Sequence, residues 1–354
     1  MQNNPKFRSR EKGEITTVQT LKNRVNDYFK TNNIKMNGNW YLYHKTIILL
    51  VLAVAHYFFL VLFPFTPMWV KAILCVSSGL VAALIGFNLM HDGGHGSYSK
   101  KQWVNELMGY SLNLVGGILF FWKEKHNVTH HTFTNIRNVD KDIEIPFMRI
   151  HEEDTRHWYH RYQHYYWVFL YGLSYISWIT TQDFEKYFKY FRTMPAKEHF
   201  IFWFTKLGYL WVFILYPVWK FGSIALLGYL LFAYVCGLTI SIVFQLAHVV
   251  PQVAMPVPNS ENTIEQKWEI HQVRTTANFA THNKFLYWCL GGLNFQIEHH
   301  LFPRISHVHY PQIQKIVKDW CKEFKLPYTH FRSMGRAVQA HIIYLKLMGR
   351  KCAF

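Results

Sequence analysis

Charge is nearly absent from four long stretches of the chain: residues 46–65 (TIILLVLAVAHYFFLVLFPF), 72–90, 201–219 and 222–247. A bilayer core about 30 Å thick takes about 20 mostly apolar helical residues to cross, so each stretch predicts a membrane-spanning helix. They form two pairs. A short segment holding Pro64, Pro67 and Lys71 joins the first two, and Lys220 hinges the second two. Two further apolar runs, 107–122 and 165–180, are only 16 residues long, which suits a buried or interfacial helix better than a crossing. Outside these blocks, Ile313, Ile316, Val317, Trp320 and Phe324 recur as one helical stripe, which predicts a helix packed on a core. The stretch ITTVQTLKNRVNDYF at 15–29 reads as an amphipathic helix. The pattern predicts an all-α, polytopic membrane protein with four transmembrane helices and a large helical cap. Residues 41–325 form its main domain, with 1–40 and 326–354 as peripheral terminal segments.

Charge assigns the sides of the membrane. The chain carries 38 Lys and Arg against 21 Asp and Glu, net +17, yet half of it is apolar and its mean hydropathy is −0.04. Greasy and charged residues are therefore segregated in blocks, which excludes disordered and fibrous classes. Loops retained in the cytoplasm carry the Lys and Arg excess. With four spans and an internal N-terminus, the two outer loops hold only Lys71 and Lys220, and Lys206 is the one basic residue inside a span. Both termini and the cap are thus expected on the cytoplasmic side of a bacterial inner membrane or of the endoplasmic reticulum. The positive charge reads as topology plus attraction to the lipid bilayer, with no nucleic-acid partner. Residues 1–20 are polar and show no signal peptide. Cys75, Cys236, Cys289, Cys321 and Cys352 are scattered and contain no Cys-x-x-Cys pair, which argues against a disulfide framework or a thiolate zinc site.

Histidine is the unusual residue, with 21 in the chain. Adjacent pairs alone mean little, because shuffling leaves about one pair at any small spacing; placement is the informative feature. His91 follows the second span and His248 the fourth, and the clusters HDGGH at 91–95, HNVTHH at 126–131 and QIEHH at 296–300 lie in the cytoplasmic segments. Residues four apart share a helix face, so His91 with His95, and His126 with His130, can each grip one ion. Adjacent histidines point about 100° apart on a helix of 3.6 residues per turn, so His130-His131 and His299-His300 suit two neighbouring ions. Together with His248 these make eight imidazoles, enough for two metals. If 107–122 crossed the membrane, the first two clusters would lie on opposite sides, so both short runs are expected not to span. Without thiolates, imidazole suits zinc, copper, iron or nickel. A dinuclear iron site uses this many nitrogens best, with two zincs as the alternative.

These motifs resemble the three histidine boxes of the integral-membrane fatty-acid desaturases, in the same order. FQLAH at 244–248, HQVRTTANFA at 271–280 and WCLGGLNFQIEHHLFPRISHVHYP at 288–311 extend the likeness over about 40–325. The resemblance implies a non-haem diiron oxidoreductase that uses O2 and two electrons to remove two hydrogens from a fatty-acyl chain, CoA- or lipid-linked. The implied metal ligands are His91, His95, His126, His130, His131, His248, His299 and His300, with no other catalytic residue. Gln296, where many relatives have His, is similar to the front-end subgroup and is implied as a weak ligand or water-holder. Front-end relatives often carry a fused cytochrome b5 domain with a His-Pro-Gly-Gly motif. None occurs here, so the resemblance implies a separate electron donor such as cytochrome b5 or ferredoxin. Neither a Gly-x-Gly-x-x-Gly fingerprint nor a P-loop is present.

Asp140, Asp142 and His271 are candidates for supporting the ligand imidazoles, and Asp92 and Glu298 sit inside boxes. Of the other histidines, His44, His151, His157, His160, His164, His199, His330 and His341 are expected at surfaces or interfaces, and mid-span His56 hydrogen-bonded toward another helix. His282, His307 and His309, near box three, are expected to pack or support it. Two rival functions stay open: a related diiron fatty-acyl hydroxylase, and a polyhistidine membrane carrier of metal or haem without turnover.

Overall fold

The computed structural model describes residues 4–8 and 12–350, with the side chains of 12–16 excepted. Cys352 lies outside the described residues; the other four cysteines are free thiols. Helix dominates. The only strands among the described residues are two parallel pairs of two residues each, Lys6–Phe7 with Thr263–Ile264 and Asn278–Phe279 with His330–Phe331. The chain divides into two compact units, one built from 39–123 and 168–242, the other from 1–38, 124–167 and 243–354.

Four helices are long and apolar enough to cross a membrane: Trp40–Leu62, Met68–His95, Ala196–Phe221 and Ile224–His248. Each begins or ends beyond its hydropathy block because capping and aromatic residues extend it. Asn39 accepts a hydrogen bond from the Tyr41 amide and so starts the first helix early. Gly96, in the left-handed region at φ +74, stops the second only after His95. Both HDGGH and His248 therefore lie on the last turns of spans, where hydropathy alone put them just outside. The 107–122 run is broken, with Gln102–Leu114 and Leu119–Phe133 meeting at 106° and Gly116 at φ +89 in the bend. The 165–180 run lies in Gln163–Ser177 and the turn after it, and neither is among the four long helices.

Within the unit of 39–123 and 168–242, small residues let backbones approach. A Cβ on Gly79 would lie 2.5 Å from the Phe232 carbonyl oxygen, and one on Gly237 2.6 Å from that of Gly172. Lys206 is buried, yet its Nζ donates to Asp183 Oδ2 (2.8 Å), Gly116 O (2.7 Å) and Ile179 O (2.5 Å). Pairing and full hydrogen bonding make a cation tolerable there. His56 behaves as expected, with one ring nitrogen on Leu52 O and the other 2.9 Å from Ser77 Oγ on the next helix.

In the other unit, Lys12–Thr31 lays Leu21, Val25 and Phe29 against Tyr310, Ile313, Val317 and Trp320 of helix Tyr310–Glu323. The predicted stripe is the packed face. Trp320 Nε1 also donates to Thr17 O (2.8 Å), so the N-terminal helix is part of the core and not peripheral. The C-terminal segment is likewise built in: helix Met334–Arg350 buries His341, Tyr344, Leu345 and Met348. Fully buried Arg149 donates to Met348 O (2.5 Å), Gln163 Nε2 to Leu345 O (2.8 Å), and His341 Nδ1 to Val249 O (2.7 Å). His151, His160, His164 and His341, expected at surfaces or interfaces, are all buried. His160 and His341 are held there by hydrogen bonds to backbone groups, where their polar neighbours in sequence suggested solvent.

Gly237→Ala should lower the thermal unfolding midpoint in detergent, because overpacking costs about 1–3 kcal/mol. Gly208→Ala, whose Cβ meets nothing within 4 Å, should leave the midpoint unchanged or slightly raised.

Candidate metal centre

Six of the eight implied ligands lie in the unit of 1–38, 124–167 and 243–354. His126 and His130 stand on the π-helical turn Lys123–His130, and His131 opens the next turn. His248 ends the fourth span, and His299 and His300 lie on helix Gln296–Leu301. All six are at most 4% exposed. Ligand atoms of His130, His248 and His300 lie within 4.8 Å of one another, as do those of His131, His299 and His300.

The pairing differs from the four-apart expectation for a reason visible in the backbone. The π-helical turn bonds residue i to i+5, and His126, while still stacked on His130 at 5.2 Å, also has His131 edge-on at 4.8 Å, so that His126 and His131 are the closer pair. Their Nε2 atoms face each other at 3.3 Å, close to the spacing of two tetrahedral ligands with bonds of about 2.0–2.1 Å. His130 turns instead to His248 and His300, at ring-centroid distances of 4.8 and 4.9 Å. His130 and His131 thus serve different groups, as their adjacency predicts. His299 and His300, by contrast, both reach one group, and His300 belongs to both.

Four imidazoles are fixed from behind. Asp140 accepts from His130 Nδ1 (2.9 Å) and Asp142 from His126 Nδ1 (2.8 Å). Thr275 O accepts from His248 Nδ1 (3.3 Å). Gln272 donates through Nε2 to His131 O (3.1 Å), which leaves its Oε1 to accept from His300 Nδ1 (2.8 Å). Each acceptor requires the proton on Nδ1, so the Nε2 lone pair is left for a metal. His130 Nε2 and His248 Nε2 are buried with no hydrogen-bond partner among the described residues. Most buried polar atoms in proteins are paired, and two open imidazole lone pairs on rings 4.8 Å apart fit a metal ion.

Electrostatics divide the rings of His126 and His130. Burial depresses the His126 imidazole, only partly offset by Asp142, and keeps it neutral. Burial opposes charge on His130 too, but Asp140 outweighs it and raises the imidazole's pKa. Burial also works against ionisation of Asp142, yet Lys125 at 2.7 Å and His126 hold its carboxyl well below the usual range.

His91 and His95 lie in the unit of 39–123 and 168–242, their ring centroids 4.6 Å apart and both edge-on to Trp122. Gln296 is buried and its Oε1 has no partner among the described residues. His271 bonds no ligand; its Nε2 meets Thr134 O (2.9 Å), holding the turn behind box two. Glu298 accepts from Asn278 (2.7 Å) and Tyr328 (2.8 Å), with burial pushing its carboxyl up to about 7. His309 bonds Asn37 O and packs on Phe29, His307 is buried against Tyr287, and His282 is exposed. Sequence reasoning missed Gln272, Tyr310, whose hydroxyl meets His299 Nδ1 (3.1 Å), and Asn135. Asn135 sits at φ +61 and donates through Nδ2 to the carbonyls of His248, Ala254 and Thr275. HQVRTTANFA had marked the neighbourhood of Gln272; no spacing rule singles out the other two.

The sequence model of the fatty acid desaturase family matches residues 67–332, and the chain belongs to that family. It is 37% identical to an acyl-lipid (8-3)-desaturase of Physcomitrium patens, over 93% of this chain and 71% of that one. It is 36% identical to an sn-1 linoleoyl-lipid 6-desaturase of Arthrospira platensis, over 93% and 91%. A protein with the same name from Synechocystis sp. is 33% identical over 94% and 95%. The chain is an oxidoreductase that desaturates fatty acids.

Asp140→Asn should lower bound metal and activity about 10- to 100-fold, the usual effect of losing a carboxylate behind a ligand histidine. Metal per chain by mass spectrometry, with unchanged helical circular dichroism, checks this. Full metal occupancy would remove the positioning role from Asp140.

Proposed function

We propose that the protein is a front-end acyl-lipid desaturase, which places a new double bond between an existing one and the carboxyl end of a lipid-linked chain. The names of relatives at 36–37% identity over 93% of the chain support this reading, and so does Gln296 at the head of box three. The proposed ligands are His91, His95, His126, His130, His131, His248, His299 and His300, with 41–325 as the catalytic domain. The observation that carries the ligand set is the pair of partnerless buried nitrogens on His130 and His248.

Two iron ions held there would supply the oxidising power that, with O2 and two electrons, removes two hydrogens from the chain. The protein's own groups hold and orient. Asp140, Asp142, Gln272 and the Thr275 carbonyl keep each Nδ1 protonated, and the buried Gln296 amide oxygen holds a water or makes a weak bond. Positioning of the substrate carries the remaining catalysis. Placement of Lys and Arg supports a cytoplasmic site and cytoplasmic termini. It also supports delivery of electrons by a separate acidic carrier, such as cytochrome b5 or ferredoxin, docked on the basic cap.

Expression in a host fed polyunsaturated precursors should yield a new double bond on the carboxyl side of an existing one, located by mass spectrometry of intact lipids. A bond on the methyl side would refute the front-end assignment. The purified protein should carry two irons per chain. His299→Ala should abolish turnover while membrane insertion persists, and retained turnover would remove His299 from the ligand set.

A further inference from the structure

The segment after box two, TRHWYHRYQHYYW at 155–167, gathers cations and aromatic rings that the metal centre does not use. Buried Gln163 accepts from the Arg149 amide (2.9 Å) and donates to Leu345 O (2.8 Å), which ties the start of helix Gln163–Ser177 to helix Met334–Arg350. Arg156 Nε donates to Gly349 O (3.0 Å), and a Cβ on Gly349 would collide with the His160 carbonyl. The last turn of the C-terminal helix is thereby held against 156–165. Arg156, Arg161, Tyr162, His164, Tyr165 and Arg350 line one cleft of about 270 Å³.

No carboxylate is among these lining residues, so the three arginines share the cleft without a counter-charge in its described lining. Arg161 stacks over the Tyr162 ring at 4.7 Å, which orients its fork of donors. His164 is 9% exposed, and its Nδ1 is buried with no hydrogen-bond partner among the described residues. Burial and the cations of Lys346 and Arg350 hold its imidazole below the usual range, so it enters as a neutral polar group. Trp158 and Tyr165 stand 77% and 74% exposed, and such amphipathic rings favour the headgroup level of a bilayer.

We propose that this cleft binds a phosphate ester, that of a membrane-lipid headgroup, with the arginines on its oxygens and Trp158 and Tyr165 at the membrane surface. Arginine forks match phosphate geometry bidentately. A phosphorylated soluble acyl carrier presents the same chemistry, and the exposed rings favour the lipid. The inference deepens the acyl-lipid reading, since a headgroup held here anchors the carrier end of the substrate, but the binding itself requires no turnover.

The full-length protein in an uncharged detergent is titrated with dioctanoylphosphatidylglycerol, with phosphate-free dioctanoylglycerol and with coenzyme A. Phosphatidylglycerol should bind saturably and dioctanoylglycerol should not. Arg161→Gln and Arg350→Gln should each weaken binding about tenfold, as for loss of a charged hydrogen bond. Lys189→Gln, an exposed cation elsewhere, removes equal charge and should change nothing. Unfolding midpoints matching the parent protein exclude misfolding, and Arg161→Lys should recover part of the loss. Equal lipid binding by all variants overturns the cleft. Coenzyme A binding that alone depends on Arg161 overturns the lipid source. Should lipid-linked chains prove not to be desaturated while Arg161→Gln still loses phosphatidylglycerol, the acyl-lipid reading fails and the cleft stands.

Discussion

An imidazole serves a metal only when its second nitrogen is held, because the proton must sit on one nitrogen to free the lone pair of the other. The surroundings of the histidine cluster follow from that requirement. Asp140 stands behind His130, Asp142 behind His126, Gln272 behind His300 and the Thr275 carbonyl behind His248. These supports are themselves supported. Asp140 accepts the amides of Asn135 and Asp142, and Thr134 bonds both His130 O and Gln272 Oε1. Each ring is thereby fixed through a chain of hydrogen bonds and not by one partner alone.

A second constraint comes from the apolar surroundings. A buried polar atom without a partner is costly, and buried Lys206 is answered by Asp183 and two carbonyls. His91, His95 and His248 stand on the terminal turns of spans. Mid-span His56 has both its nitrogens satisfied locally.

The spans were legible because charge is excluded from hydrocarbon over a fixed length, and that exclusion is written residue by residue. The histidine clusters were legible because ligation demands particular side chains. What stayed hidden depends on backbone geometry that side-chain pattern does not encode. The π-helical turn over 123–130 adds a His126/His131 contact to the His126/His130 one, and nothing in HNVTHH announces it. Gln272 and Tyr310 are ordinary polar residues until folding brings them behind His300 and His299. The C-terminal helix looked peripheral because its partners are backbone carbonyls and a buried arginine, Arg149, whose sequence neighbours suggest solvent.

Asn135 has a bearing on the order of events during synthesis. Its amide gathers carbonyls at positions 248, 254 and 275, so the turn that shapes box two waits for chain made more than a hundred residues later. Both nitrogen groups in that unit also require His300. A nascent chain on the ribosome can therefore assemble neither group until box three has emerged. The two groupings of nitrogens within that unit are thus a late product of synthesis, completed by the last of the three clusters.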